Sequence, residues 1–212
     1  MKLSKDQELL DAAQFAINSI ERDDAVAQRM AAYGFDANRV REGKEKMVDA
    51  VRSQQEKDKH YNIQWELSQQ ISEQLSAVQD QFREHVRVVR IALRKEPTAL
   101  HTLKVDKLAG KGWPCVRQAD HFYSELRKQK RSLDAYGVTA KEIQRASSET
   151  TALLALRGER LRQKGLAENS TMAKRSAFAE LRTWVTECRS VARLALKKDP
   201  QLMEGFGMTV RA

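Results

Sequence analysis

Histidine and cysteine are the side chains most ready for acid–base, nucleophilic or metal chemistry near neutral pH. This chain has four of the first and two of the second. His85 and Cys188 stand out, because they lie 103 residues apart and each follows a glutamate, Glu84 or Glu187. Both fall on the apolar stripe of a helical pattern. Brought together they would be candidates for a shared metal or redox centre. The simpler reading is a repeated semi-buried slot, filled by a small apolar Cys once and a hydrogen-bonded His once. We adopt it, and expect no metal and no cofactor.

Other combinations fail on spacing. A di-metal helical bundle uses Glu-x-x-His, but the residues three before His60, His85, His101 and His121 are Lys57, Phe82, Thr98 and Gln118. Cys115 and His121 are six residues apart, about 240° around a helix, so they do not face each other. Cys-x-x-Cys, His-Glu-x-x-His, the phosphate-binding Gly-Lys-Ser/Thr loop, Gly-x-Gly-x-x-Gly and Gly-x-Ser-x-Gly are all missing from the sequence. A non-enzymatic protein is the expectation.

Charge gives the clearer hint. Arg83, Arg87, Arg90 and Arg94 recur at i, i+4, i+7 and i+11, one continuous helical stripe. Arg182, Arg189, Arg193 and Lys197 make a similar row. Such rows can neutralise phosphates, or dock an acidic protein or anionic lipid surface. They can also be a solvated face paired with neighbouring acids. More basic residues follow at Arg127-Lys128-Gln129-Lys130-Arg131, and at Arg157, Arg160, Arg162 and Lys164.

The elements that carry these rows come in two copies. Ala32-Tyr33-Gly34-Phe35-Asp36-Ala37 returns as Ala135-Tyr136-Gly137-Val138-Thr139-Ala140, and Val88–Pro97 returns as Val191–Pro200 at the same offset of 103. Six of those last ten pairs are identical. A tandem duplication is the reading. It predicts an all-α chain: residues 1–108 as a first three-helix up-down repeat with long antiparallel helices, 109–114 as linker, and 115–212 as the second repeat.

Within each copy the punctuation is local. Ser4 and Gln7 read as a capping box, and Leu10, Ala13, Ile17, Ile20, Ala27 and Ala31 as the stripe of one helix running to Gly34. Asp36 caps the next helix with Phe35 and Val40 as its staple; Thr139, Glu142, Val138 and Ile143 repeat the device. That second helix points Val40, Met47, Ala50 and Val51 inward. A stop is expected at Asn62 and at Gly165, both tolerant of the left-handed conformation. A third helix then carries Leu67, Ile71, Leu75, Val78, Phe82, His85, Val89 and Ala92. Glu96-Pro97 and Asp199-Pro200 close it.

The net charge of +9 is lopsided: residues 1–103 hold 16 Lys+Arg against 17 Asp+Glu, and residues 104–212 hold 22 against 12. An electrostatic partner would prefer the second half. No apolar run approaches the roughly 18–20 residues of a membrane span, the N-terminus lacks the apolar core of a signal peptide, and two cysteines make no disulfide framework. The expectation is a cytoplasmic interaction or scaffold protein whose partner is protein, itself or another. The alternative is a sequence-tolerant nucleic-acid binder that uses the two basic rows.

Overall fold

A computed structural model of the chain describes residues 4–128 and 133–208. It is all-helical, and among those residues the only bridge of β type joins Leu133 to Val138. The helices are α1 (Lys5–Arg22), α2 (Asp24–Ala31), α3 (Ala37–Ala92), α4 (Pro97–Thr102), α5 (Trp113–Lys128) and α6 (Ala140–Ala195). Short 3-10 segments cover Asp134–Tyr136 and Pro200–Phe206.

Two expectations about helix ends need correction. The stripe from Leu10 to Ala31 is not one helix. Asp23 leaves the helical region (φ −132°, ψ 104°) and accepts from the amides of Ala25 and Val26, so it starts α2 afresh. The break shifts the buried stripe, leaving Met30 fully buried and Ala31 exposed. The second correction is larger. No stop occurs at Asn62 or Gly165, because α3 and α6 each run unbroken for 56 residues. Inside a helix Asn or Gly costs only about 0.7–1 kcal/mol relative to Ala, whereas a stop would strand up to four carbonyls and four amides. Nothing crowds Gly165 into another conformation. The three-helix up-down repeat is therefore not what forms.

Instead the chain makes two compact units that cut across the sequence halves. Unit 1 takes residues through His60 together with those from Leu166 onward, and unit 2 takes Tyr61–Gly165. Both α3 and α6 supply residues to each. Residues 109–114, expected as a linker, lie inside unit 2, where the Gly112 amide donates to Gln79 and the Ala109 amide to Gln118.

Unit 1 buries Ala13, Ala16 and Ile17 of α1, Met30 of α2, Phe35, Val40 and Ala50 against Phe178, Leu181, Trp184, Cys188, Ala192, Leu196 and Phe206. Trp184 is its keystone. The indole N–H donates to the Arg39 carbonyl at 2.8 Å, the ring lies 5.5 Å from that of Phe35, and it covers Gly43 so closely that a Cβ there would enter the ring. Val51, expected inside, is 38 % exposed. Ion pairs tie α3 to α6 around this core: Arg39 with Glu187, and Lys46 with Glu180 at 3.2 Å.

Unit 2 packs Phe82, Val86, Val89 and Leu93 of α3 with Leu103, Val105, Cys115, Ala119, Phe122, Tyr123 and Leu126, closed by Val138, Ile143 and Ala146. Its centre is aromatic: Phe82, Phe122 and Tyr123 meet edge to face at 5.0–6.3 Å between ring centres. A neighbouring cluster joins Ile71, Val78, Val116 and Leu153.

The repeated corner is built alike in both units. Gly34 and Gly137 take φ of +80° and +79°. The amides of Phe35 and Gly34 donate to the carbonyls of Met30 and Ala31, and those of Val138 and Gly137 to Leu133 and Asp134, the paired bonds of a Schellman turn. Asp36 caps α3 through the amides of Asn38 and Arg39. Thr139 and Glu142 exchange bonds as a capping box at 2.8 and 3.2 Å. At Ser4 only half of the expected box forms: its hydroxyl accepts from the Gln7 amide, while the Gln7 side chain turns to Asp11.

Candidate functional site

The helical period sets Arg83, Arg87 and Arg90 on α3 and Arg182, Arg189 and Arg193 on α6, Arg94 and Lys197 stand in the turns that follow, and the fold divides each row into two kinds of cation. Arg90 is a structural clamp. Its guanidinium donates to the carbonyl of Val105, through Nε at 2.9 Å, and to that of Asp106 at 3.2 Å, holding the segment after α4 against α3. Arg189 does the same for the C-terminal 3-10 segment, donating to the Phe206 carbonyl at 3.2 Å. The rest of the rows is different. Arg87, Arg94, Arg182, Arg193 and Lys197 are exposed and Arg83 half-buried, and among the described residues no acid lies within ion-pair distance of any of them.

Other basic residues of the second half are engaged. Arg157 lies over the Trp113 ring at 4.6 Å and Arg160 donates to the Ser68 hydroxyl at 2.7 Å. Arg162 donates to Glu159, holding that carboxyl down at about 2. In the expected cluster after α5, Lys128 pairs with Glu125 at 2.6 Å, and residues 129–131 lie outside the described residues.

His85 and Cys188 occupy separate cores. His85 is buried in unit 2, with Nδ1 3.0 Å from the Tyr123 hydroxyl; burial pushes its pKa down, and burial pushes that of Tyr123 up. Cys188 is fully buried in unit 1, where burial raises the thiol to about 12. Burial also raises the Cys115 thiol. Neither sulfur is poised as a thiolate nucleophile. Among the described residues no group of three His, Cys, Asp or Glu side chains is placed to hold a metal ion, and no helix is long and apolar enough to cross a membrane.

Two basic clefts complete the picture. In unit 1 a cleft of about 460 Å³ is lined by Asp6, Lys57, Thr171, Lys174, Arg175, Phe178 and Arg182. Lys174 is occupied there by Asp6 at 2.7 Å and by the Phe178 ring. In unit 2 a cleft of about 470 Å³ is lined by His101, Lys104, Asp106, Lys107, Arg117, Gln118 and His121. Sequence reasoning missed this second cleft. The signal was nonetheless present, since Lys104 stands at the repeat offset from Gly207.

Comparison of the chain with protein-family models, with curated proteins and with solved structures finds no match.

Proposed function

We propose that this protein is a non-enzymatic helical interaction module, cytoplasmic, whose partner is a polyanion bound through exposed cations of α3 and α6 and of the turns that follow them. The observation that carries the reading is that, among the described residues, exposed Arg87 of α3, exposed Arg193 of α6, and exposed Arg94 and Lys197 in the turns after those helices have no acid within ion-pair distance. A solvated face would be expected to pair many of its cations with local acids, as Arg145–Glu149 and Arg162–Glu159 do. An extended anion such as single-stranded nucleic acid supplies the missing charge without base-specific contacts. Unit 2, which carries Arg87 and Arg94, is the more basic, with 19 Lys+Arg against 12 Asp+Glu; unit 1, which carries Arg193 and Lys197, holds 19 against 17.

The test is fluorescence anisotropy of a labelled mixed-sequence oligonucleotide across a salt series. Wild type should lose affinity steeply as salt rises. The variant R87E/R94E/R193E/K197E should bind at least about tenfold more weakly at low salt, with unchanged helical circular dichroism. Equal binding by the two proteins refutes the reading. Arg90 and Arg189 are left alone, because their loss would also release the segments they clamp.

A protein partner is the second reading. Trp65 and Leu161 of unit 2 are 64 % and 54 % exposed, large apolar side chains that an interface would cover. We also infer that the chain arose by tandem duplication. Supporting this are the equal lengths of α3 and α6, the matching corners at Gly34 and Gly137, and the near-identical backbone of Glu96 and Asp199 (φ −125° and −128°, ψ 71° in both).

A further inference from the structure

Four helix ends in this protein close by the same pair of bonds. Three put glycine at the left-handed position: Gly34, Gly137 and Gly207, at φ of +80°, +79° and +65°. The fourth puts Lys104 there, at φ +52°, the one positive-φ residue other than glycine among those described. Its amide donates to the His101 carbonyl and the next amide, of Val105, to Leu100, as Gly207 and Met208 donate to Glu204 and Met203. Lysine is a poor choice for that conformation, and the residue 103 positions later is the good one. Backbone strain of this kind tends to gather where a side chain is needed for function.

The Lys104 side chain lines a cleft whose backbone is held on several sides. Leu103 and Val105, on either side of Lys104, are fully buried and fix the backbone between them. The Gln118 amide nitrogen donates to the carbonyls of Lys104 and Lys107, and its oxygen accepts from the Ala109 amide. Arg90 takes the carbonyls of Val105 and Asp106, and Nε2 of His121 donates to that of Thr102. The cleft wall is thus rigidly bonded, and its one lining acid, Asp106, is occupied by Nδ1 of His101 at 3.0 Å. That leaves Lys104, Lys107 and Arg117 lining the cleft with no acid partner among the described residues.

We propose that this cleft binds the phosphoryl group of a small phosphomonoester, with its oxygens accepting from Lys104, Lys107 and Arg117. Three unpaired cations match a dianion better than a carboxylate, and a planar guanidinium suits two phosphoryl oxygens at once. A space of about 470 Å³ exceeds what a bare phosphate fills, leaving room for an organic group. The site is independent of the cations assigned to the polyanion: none of Arg87, Arg94, Arg193 and Lys197 lines it.

Isothermal titration of the full chain with inorganic phosphate and with glycerol 3-phosphate tests the assignment. Wild type should show saturable binding of one equivalent. Tighter binding of glycerol 3-phosphate supports an organic phosphate ligand, and equal binding supports free phosphate at the same phosphoryl site. Lys104→Gly and Arg117→Gln should each weaken binding about tenfold or more. Lys104→Gly should melt no lower than wild type, because glycine takes φ +52° without strain; its loss of binding is then not a loss of fold. The variant R87E/R94E/R193E/K197E should bind phosphate as wild type does, which separates failure here from failure of the polyanion reading. No saturable binding of either compound, or full affinity in both cleft variants, overturns the proposal.

Discussion

Cys188 fills its slot in unit 1 with a thiol buried among apolar neighbours, whereas His85, 103 residues earlier, fills the corresponding slot in unit 2 with an imidazole bonded to Tyr123. The same contrast recurs at two more places. Gly43 admits the Trp184 ring in unit 1, and its counterpart in unit 2 is a buried alanine, Ala146. Gly207 ends one terminal helix without strain and Lys104 ends the other with it. Backbone devices are shared between the units, and the side chains they position are not. Charge is placed differently too: in unit 1 ion pairs join α3 to α6, while the ion pairs Lys128–Glu125, Arg145–Glu149 and Arg162–Glu159 of unit 2 each lie within one helix.

The comparison is most easily broken at Gly43. Gly43→Ala should destabilise by about 2 kcal/mol or more, since overpacking against Trp184 outweighs the better helix propensity of alanine. The reciprocal Ala146→Gly should cost about 1 kcal/mol, largely through helix propensity. Denaturant melts of both variants check the difference; equal effects would mean the two sites are packed alike. Next in size is the corner. Gly137→Val should cost about 1–2 kcal/mol, because a β-branched residue resists φ near +79°, and an unchanged melting temperature would remove the corner's role.

Smaller effects sharpen the contrast at the helix ends. Lys104→Gly should stabilise by roughly 0.5–1 kcal/mol and Gly207→Lys should destabilise by about 1 kcal/mol, since the left-handed region suits glycine far better than lysine. Thermal melts that move the same way for both would contradict the strain assigned to Lys104.

The smallest effect is expected from His85. Its pKa is lower in the folded protein than in the unfolded chain, through burial. The unfolded state therefore binds more protons, and stability rises with pH. The contribution is complete above the unfolded value of about 6.5 and drains away as pH falls below it toward the folded value. Wild type should melt lower at pH 5.5 than at pH 7.5, and His85→Gln should flatten that dependence. An equally steep profile in the variant would assign the effect elsewhere.

Much of the local structure was legible because its causes are local. Gly34, Gly137, Asp36, Thr139 and the two prolines act within a few residues of where they stand, and each does what its type predicts. Asp23 carries an equally local signal that the apolar stripe around it masked. Asn62 and Gly165 misled for a different reason: tolerance of a stop is not a stop, and an unbroken hydrogen-bond ladder outweighs a modest propensity loss. The basic rows were readable as rows. Which arginines were free was not, because Arg90 and Arg189 find their carbonyls 15–17 residues away along the chain.

By itself, then, the sequence determined an all-helical chain, its corners and caps, the apolar stripes and the positions of its cations. Helix period and turn chemistry depend on near neighbours, so they survive without a fold. Tertiary structure alone decided that residues through His60 pack with those after Leu166, that His85 meets Tyr123, and that Lys104, Lys107 and Arg117 share one cleft. Those are contacts between residues far apart in the chain, set by which apolar faces bury each other, and no short-range pattern encodes them.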